Sequence, residues 1–341
     1  MKKQVKIISS IIVLGLLGGG SYLYGKHQTK NVPTTVTTKQ TTTKNYTIGI
    51  LQYISHPSLD QIKAGVVDGL KKEGLKDGEN VTIKFLNGQG DQSKLKTMSQ
   101  QLIQEGADVL IPIATPAAKA MANETTTIPI VAGAISDPVG SGLVTNLDQP
   151  TGNITGVKNE APVADQVHLL KQLLPTAKKI GVIYSANEEN SRSYVTKITE
   201  LATKTGYQVK PYAIQSSTDL AQTVQVMNQE VDVIYVPQDN GIASAFQTLM
   251  NEANKAKKPV FVSVDNMVKE GGLATVGQDQ YEIGVRTAKL AAKVLKQQGT
   301  KTLPFDVMDT GTVIINKTKA QELGITIPET VQKEATMIGG K

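Results

Sequence analysis

The chain alternates short runs of consecutive apolar residues with longer stretches in which apolar residues recur every three or four positions. Residues 46–51 (YTIGIL) form a run of the first kind and read as a buried strand. Over residues 58–73, Leu59, Ile62, Val66 and Leu70 fall on one face of a helix. Residues 81–85 predict a second strand. Residues 94–105 predict a helix carrying Leu95, Met98 and Leu102 on one face, residues 108–113 (DVLIPI) a buried strand, and residues 116–123 the start of another helix. This rhythm predicts a parallel sheet with helices on both faces.

The rhythm then repeats. Residues 179–184 (KIGVIY) parallel 46–51, residues 231–237 (VDVIYVP) parallel 107–112 (ADVLIP), and residues 258–262 (KPVFV) parallel 127–131 (TIPIV). The order is the same and the offsets are similar, so one α/β unit occurs twice. The expected fold class is α/β, with two doubly wound parallel-sheet lobes joined by a hinge. Ligands of open parallel sheets bind beyond the carboxyl ends of the strands. Two such lobes facing each other place a ligand between them, with its contacts in the loops after the strands.

Length agrees: 341 residues fit two domains of ordinary size. Aromatic residues are 4% of the chain and Trp is absent, so the cores must rest on Ile, Val, Leu and Ala. The formal charge of +6 changes meaning once it is mapped. Residues 1–44 hold seven Lys and no acidic residue, which leaves 29 basic against 30 acidic residues in the rest. No basic stripe remains for nucleic acid. The absence of Cys removes thiol nucleophiles, Cys-based zinc sites and disulfides.

Lys2, Lys3 and Lys6 precede an uncharged stretch at residues 7–25, long enough as a helix for roughly 28 Å. Its flanking lysines put the N-terminus in the cytoplasm. Residues 1–26 are expected to be an uncleaved signal-anchor; the competing reading is a signal peptide cleaved near Gly18, Gly20 and Ser21. Residues 27–45, rich in Thr and without periodicity, read as a solvated linker. The lobes are expected to comprise residues 46–156 with about 276–305, and residues 157–275 with about 306–335.

Each loop after a strand offers candidate ligand contacts alongside an ordinary structural use. After the first strand come Tyr53, Ser55 and His56, where Ser58 could also cap a helix behind Pro57. After the third come Thr115, Pro116 and Ala117: Thr115 fits an N-cap, Pro116 a first turn, and the free amides of that turn suit a carboxylate. Ser136 and Asp137 follow the next strand, and Asp137 before Pro138 is also a turn former. In the second lobe Ser185, Asn187 and Asn190 follow a strand, with Asn190 or Ser191 as a possible cap. Asp239 and Asn240 mirror the Thr115 loop but bring an acid, which could pair with an ammonium while the Thr115 helix holds a carboxylate. Asp265 stands at a further strand end.

The chemistry of an enzyme is not visible. The chain has three His, of which His27 lies in the linker and His168 on a helix, and no metal cluster is apparent. No G-x-S-x-G, P-loop or G-x-G-x-x-G follows a strand. A triad from Ser55, His56 and Asp137 has poor geometry, because its Ser and His are adjacent. No catalytic residue, metal or cofactor is therefore expected.

Five segments together resemble ABC-transporter substrate-binding proteins of the type I periplasmic-binding-protein kind: residues 52–60 (QYISHPSLD), 114–118 (ATPAA), 136–139 (SDPV), 235–240 (YVPQDN) and 272–277 (GLATVG). The resemblance is strongest to the TrpX-like group linked to uptake of tryptophan or other aromatic amino acids in Gram-positive bacteria, and it spans residues 46 to about 328. It implies crossing strands near Gly156, Thr275 and residues 305–308, amino-acid binding with Asp239 facing the ammonium, hinge closure, and delivery to an ABC permease and its ATPase at the outer face of the membrane. A monomer is expected. The missing lipoprotein Cys departs from the usual Gram-positive pattern and bears on the anchoring alone. The alternatives are a receptor domain for a signalling partner, a binding protein for a sugar or nucleoside, and a hydrolase or isomerase on the same fold.

Overall fold

The computed structural model describes residues 45–339 except 302; the anchor and most of the linker lie outside the described residues. The first lobe begins with β1 (Tyr46–Gln52), α1 (Pro57–Lys72), β2 (Val81–Asn87), α2 (Gln92–Gln104), β3 (Val109–Ile113), α3 (Thr115–Glu124), β4 (Ile130–Ile135) and β5 (Ile154–Lys158). The chain then crosses into the second lobe through α4 (Val163–Leu173), β6 (Lys179–Ser185), α5 (Glu189–Lys204), β7 (Gln208–Ile214), α6 (Leu220–Glu230), β8 (Val233–Val236), α7 (Asn240–Ser244), α8 (Phe246–Lys255), β9 (Val260–Val262), α9 (Asp265–Lys269) and β10 (Ala274–Gly277). It returns for α10 (Gln280–Lys293) and β11 (Asp306–Val307). It ends in the second lobe with β12 (Thr312–Asn316), α11 (Lys317–Glu322), α12 (Glu329–Glu334) and β13 (Thr336–Ile338).

The sheet orders are β11-β5-β4-β3-β1-β2 and β13-β12-β10-β9-β8-β6-β7. The repeat is thus real in topology: β1 to β5 correspond in order to β6 to β10. Strands β3, β8 and β9 are buried throughout, which explains their unbroken apolar runs. Tyr235 and Phe261 stack on neighbouring strands with centroids 6.1 Å apart. The second sheet departs from pure parallel order, since β12 runs antiparallel to β10.

Val276 and Gly277 pair within the second sheet, and Asp306 and Val307 pair with β5 in the first. The chain therefore crosses just after β5, β10 and β11. Gln278 gathers the three crossings: its Nε2 donates to the Glu160 carbonyl at 3.1 Å and to the Met308 carbonyl.

The returning helix α10 seals the first lobe against α1. Their backbones approach so closely that a Cβ at Gly65 would stand 2.1 Å from the Tyr281 carbonyl oxygen, and one at Gly284 would stand 2.0 Å from that of Ile62. Among the described residues no helix is long and apolar enough to cross a membrane.

Candidate functional site

Loops beyond the strand ends of both lobes meet across a cleft. His56 Nε2 lies 3.3 Å from Asn240 Oδ1, Asn266 Nδ2 donates to Gln61 Oε1 at 3.0 Å, and Gln92 Nε2 donates to the Asn187 carbonyl at 2.9 Å. Lys119 and Glu189 form an ion pair between the lobes. Within the cleft lies a small cavity of about 50 Å³ between the two sets of loops.

The cavity lining has two chemical characters. Leu59 and Ile62 of α1, Ala243 of α7, and Val264 and Met267 beside and within α9 are apolar; Thr115, Ser136, Asn159, Asn190, Gln238 and Asp239 are polar. His56, Ser58, Asn240 and Gln280 complete the polar set, and Ala114 and Ala134 keep two strand ends small.

Those two alanines are conformationally unusual. Ala114, between β3 and α3, has φ 79° and ψ 154°; Ala134 has φ 59° within the irregular register of β4 against β5. Positive φ is costly for any residue with a Cβ and persists where surrounding structure enforces it. The turn at Ala114 makes Thr115 the first residue of α3 rather than its cap, because Ala114 occupies the capping position. The first-turn amides of α3 have no intrahelical acceptor and form the positive end of the helix dipole.

Caps elsewhere also differ from expectation. His56, not Ser58, precedes α1 in extended conformation, and Ser58 is buried within the first turn. Glu188, not Asn190 or Ser191, precedes α5. Neither side chain caps its own helix: His56 joins the cavity lining, and Glu188 accepts from the Asn240 and Gly241 amides that open α7.

Two carboxyl groups lie deep at the second lobe's wall. Asp239 is 2% exposed. It accepts from the Ser185 amide at 2.6 Å, the Ser185 hydroxyl at 2.7 Å and the Ile242 amide at 2.8 Å. It is therefore the cap of α7 as well as part of the lining. Glu188 is 1% exposed and accepts from the Gly241 amide at 2.8 Å and from Asn240 Nδ2 at 2.5 Å. Burial, then the neighbouring Asp239, pushes the Glu188 carboxyl up to about 8. Burial lowers His56 to about 4, so its imidazole is neutral near pH 7.

Three buried polar atoms of the lining make no hydrogen bond within the protein: His56 Nδ1, Asn159 Oδ1 and Asn190 Oδ1. Buried polar groups are ordinarily satisfied, so these three atoms are candidates for contact with a ligand's donors.

The structure sorts the sequence candidates. His56, Thr115, Ser136, Asn190, Asp239 and Asn240 share the cavity. Pro116 and Asn187 line a neighbouring outer recess, and Asp137 another, where its Oδ1 closes a turn by accepting from the Gly140 amide at 2.8 Å. Four lie away from the cavity lining because their groups are used elsewhere. Tyr53 donates to the Gly90 carbonyl at 3.1 Å, Ser55 to Asp60 at 2.7 Å, Ser185 binds Asp239, and Asp265 takes Lys269 at 3.0 Å. Ala117 is wholly buried in α3. Sequence reasoning passed over Asn159, which sits on a crossing segment without periodicity. It also passed over Gln238 and Gln280, and Glu188 behind the wall.

A hinged pair of α/β lobes closing polar and apolar loops over one small cavity defines a solute-capturing binding protein. The family model for ABC transporter substrate binding proteins matches residues 47–338, and the chain belongs to that family, whose members are the binding components of ABC transporters. The fold is of the type I periplasmic-binding-protein kind. A tyrosine-binding protein of Clostridioides difficile (strain R20291) is 36% identical over 93% of this chain and 92% of its own length. The structure of an ABC domain from Streptococcus pneumonia in complex with L-Trp is 47% identical, with a TM-score of 0.84 over 86% of this chain and 99% of that one. A ligand-free, open structure of a Clostridium difficile substrate binding protein with adhesive properties is 34% identical, covering 87% of this chain and all of that one, and has a TM-score of 0.66. The described arrangement thus superposes better on the ligand-bound relative than on the open one.

Proposed function

We propose that this protein captures an L-amino acid with an aromatic side chain, tryptophan or tyrosine, and delivers it to an ABC permease and its ATPase. The observation that carries this reading is the mixed lining of one small cavity between the lobes. Leu59, Ile62, Ala243, Val264 and Met267 bury the side chain. The α3 amides, with the hydroxyls of Thr115 and Ser136, receive the carboxylate. Asp239 and the unsatisfied acceptors Asn190 Oδ1 and His56 Nδ1 receive the ammonium. Hinge closure about the three crossing segments brings the two sets together. Relatives binding L-Trp and tyrosine support the aromatic class.

The protein works as a monomer at the outer face of the cytoplasmic membrane, held by residues 1–26, or is released if these are cleaved. The lobes divide near the three crossings. The folded part contributes no catalysis in this reading.

The absence of Trp from the chain gives a direct test. Emission excited at the red edge of indole absorption comes from a tryptophan ligand alone and should shift to the blue on capture. Calorimetry across the common amino acids should show tryptophan or tyrosine as the tightest. Binding of a sugar or nucleoside with no amino acid tighter than millimolar would sink the reading.

A further inference from the structure

Glu188 lies behind the cavity wall rather than in its lining. The partners of its carboxyl group are N–H donors: the Asn240 and Gly241 amides at 3.3 and 2.8 Å, Asn240 Nδ2 at 2.5 Å and Asn190 Nδ2 at 3.4 Å. A side-chain amide that turns its NH₂ toward a carboxyl oxygen turns its own oxygen away. Asn240 Oδ1 therefore faces His56 across the cleft, and the His56 Nε2 at 3.3 Å carries the hydrogen. A neutral imidazole with Nε2 protonated leaves Nδ1 as a bare acceptor. Asn190 Oδ1 is likewise a bare acceptor, and both atoms are buried without a partner in residues that line the cavity. One buried carboxyl group thus sets the direction of Asn240 and, through it, His56, and holds Asn190 together with the Gln238 carbonyl, which accepts from Asn190 Nδ2 at 3.1 Å.

Charge points the same way. Asp239 lines the cavity next to Glu188, and among the described residues no Lys or Arg side chain bonds to either carboxyl group. The nearby bases are engaged elsewhere: Arg192 donates to the Ala186 carbonyl, and Lys119 pairs with Glu189. The other titratable neighbours are Tyr53, held on the Gly90 carbonyl, and Asp60, held by Gln52 and Ser55. Two neighbouring buried acids without a basic partner are costly to ionise together unless a cation joins them.

We propose that Glu188 is a specificity-determining positioning residue. By fixing Asn240 and, through it, His56, and by holding Asn190 together with the Gln238 carbonyl, it turns the cleft wall into a row of acceptors that takes a ligand's primary ammonium and rejects the same molecule lacking it. This rests on the amino-acid reading of the cleft. With Gln at position 188, the new NH₂ meets N–H groups. The neighbouring amides are released to turn their own NH₂ groups toward the ligand, and the wall loses its single polarity.

The test compares L-tryptophan with indole-3-propionate, which lacks only the ammonium, by calorimetry on the full-chain protein. Glu188→Gln should weaken tryptophan binding about 30-fold and change indole-3-propionate binding less than about twofold. Equal losses for both ligands, or no loss for tryptophan, overturn the proposal. A second measurement needs no variant. The chain has three His, so the His56 ring is readily resolved by ¹⁵N NMR. Nε2 should carry the hydrogen, and the Nδ1–H tautomer overturns the proposal. If no amino acid binds the wild-type protein, the amino-acid reading fails, whereas the His56 tautomer still reports on Glu188 itself.

Discussion

His56 of the first lobe and Asn240 of the second meet across the cleft, with Nε2 3.3 Å from Oδ1, and both residues line the cavity. Each is fixed from its own side: His56 by its place before α1, Asn240 by the Glu188 carboxyl. The contact exists only when the lobes are together, so its free energy adds to that of closure. Asn240→Ala should therefore weaken ligand binding by about 5- to 30-fold, as expected for a part-buried hydrogen bond of about 1–2 kcal/mol. The loss should appear as faster release rather than slower capture. Stopped-flow measurement of both rates checks this, and an unchanged release rate would remove the contact from the closed state's energetics.

Glu188 and His56 pull stability in opposite directions with pH. Glu188 is raised from 4.5 to about 8, so between these values the folded chain holds a proton that the unfolded chain lacks, and stability falls as pH rises. His56 is lowered from 6.5 to about 4, so between these values the unfolded chain holds the extra proton, and stability falls as pH falls. The two slopes oppose each other between pH 4.5 and 6.5, and only the Glu188 slope remains from 6.5 to 8. At about 1.4 kcal/mol per pH unit the decline over that upper window is on the order of 2 kcal/mol. Urea unfolding without ligand should show it. The Glu188→Gln protein should lack it, and a decline of equal size in the variant would assign the effect to other groups.

Much of the fold was legible because its strands are buried on both faces. The runs at 46–51, 108–113 and 179–184 are unbroken, and each became β1, β3 or β6. The duplication was legible for the same reason. The site was legible only as far as loops follow strands. Thr115 looks like a cap by residue type, yet the left-handed turn at Ala114 makes it the first residue of α3, and nothing local in an Ala announces that turn. Tyr53 looks like a ligand wall, but its hydroxyl finds the Gly90 carbonyl, 37 residues away. Glu188 was passed over because its partners, Asn240 and Gly241, lie some fifty residues along the chain. Side-chain direction in such loops is a tertiary property.

The seal between α1 and α10 predicts a stability effect opposite in sign to helix propensity. Ala at an exposed helical Gly gains roughly 0.5–1 kcal/mol. At Gly65 the added Cβ would meet the Tyr281 carbonyl at 2.1 Å and the Gly284 Cα at 3.1 Å, both of them backbone atoms. The helices must separate, so Gly65→Ala should destabilise by about 2–3 kcal/mol. Urea denaturation measures this. A neutral or stabilising result would mean that the two helices do not pack at this distance in solution.

Strain at Ala114 should separate stability from binding. Its φ of 79° and ψ of 154° lie where Gly is at ease and a Cβ is not. Replacing Ala with Gly relieves about 1–3 kcal/mol of strain and restores roughly 0.5–1 kcal/mol of unfolded-chain entropy, so the net effect of Ala114→Gly should be a modest gain in stability. The same turn aims the start of α3 at the cavity, where Thr115 lies beside Ser136. A Gly there admits other conformations in the free protein, and binding must then bear the cost of ordering them. The expected pair of results is a higher melting temperature without ligand and a several-fold weaker affinity for the amino acid. Ala114→Val, with a branched Cβ forced to positive φ, should lower the melting temperature instead. If Ala114→Gly lowered stability as an ordinary Ala→Gly change does, the left-handed turn would not be the conformation in solution, and the carboxylate subsite built on it would have to be abandoned.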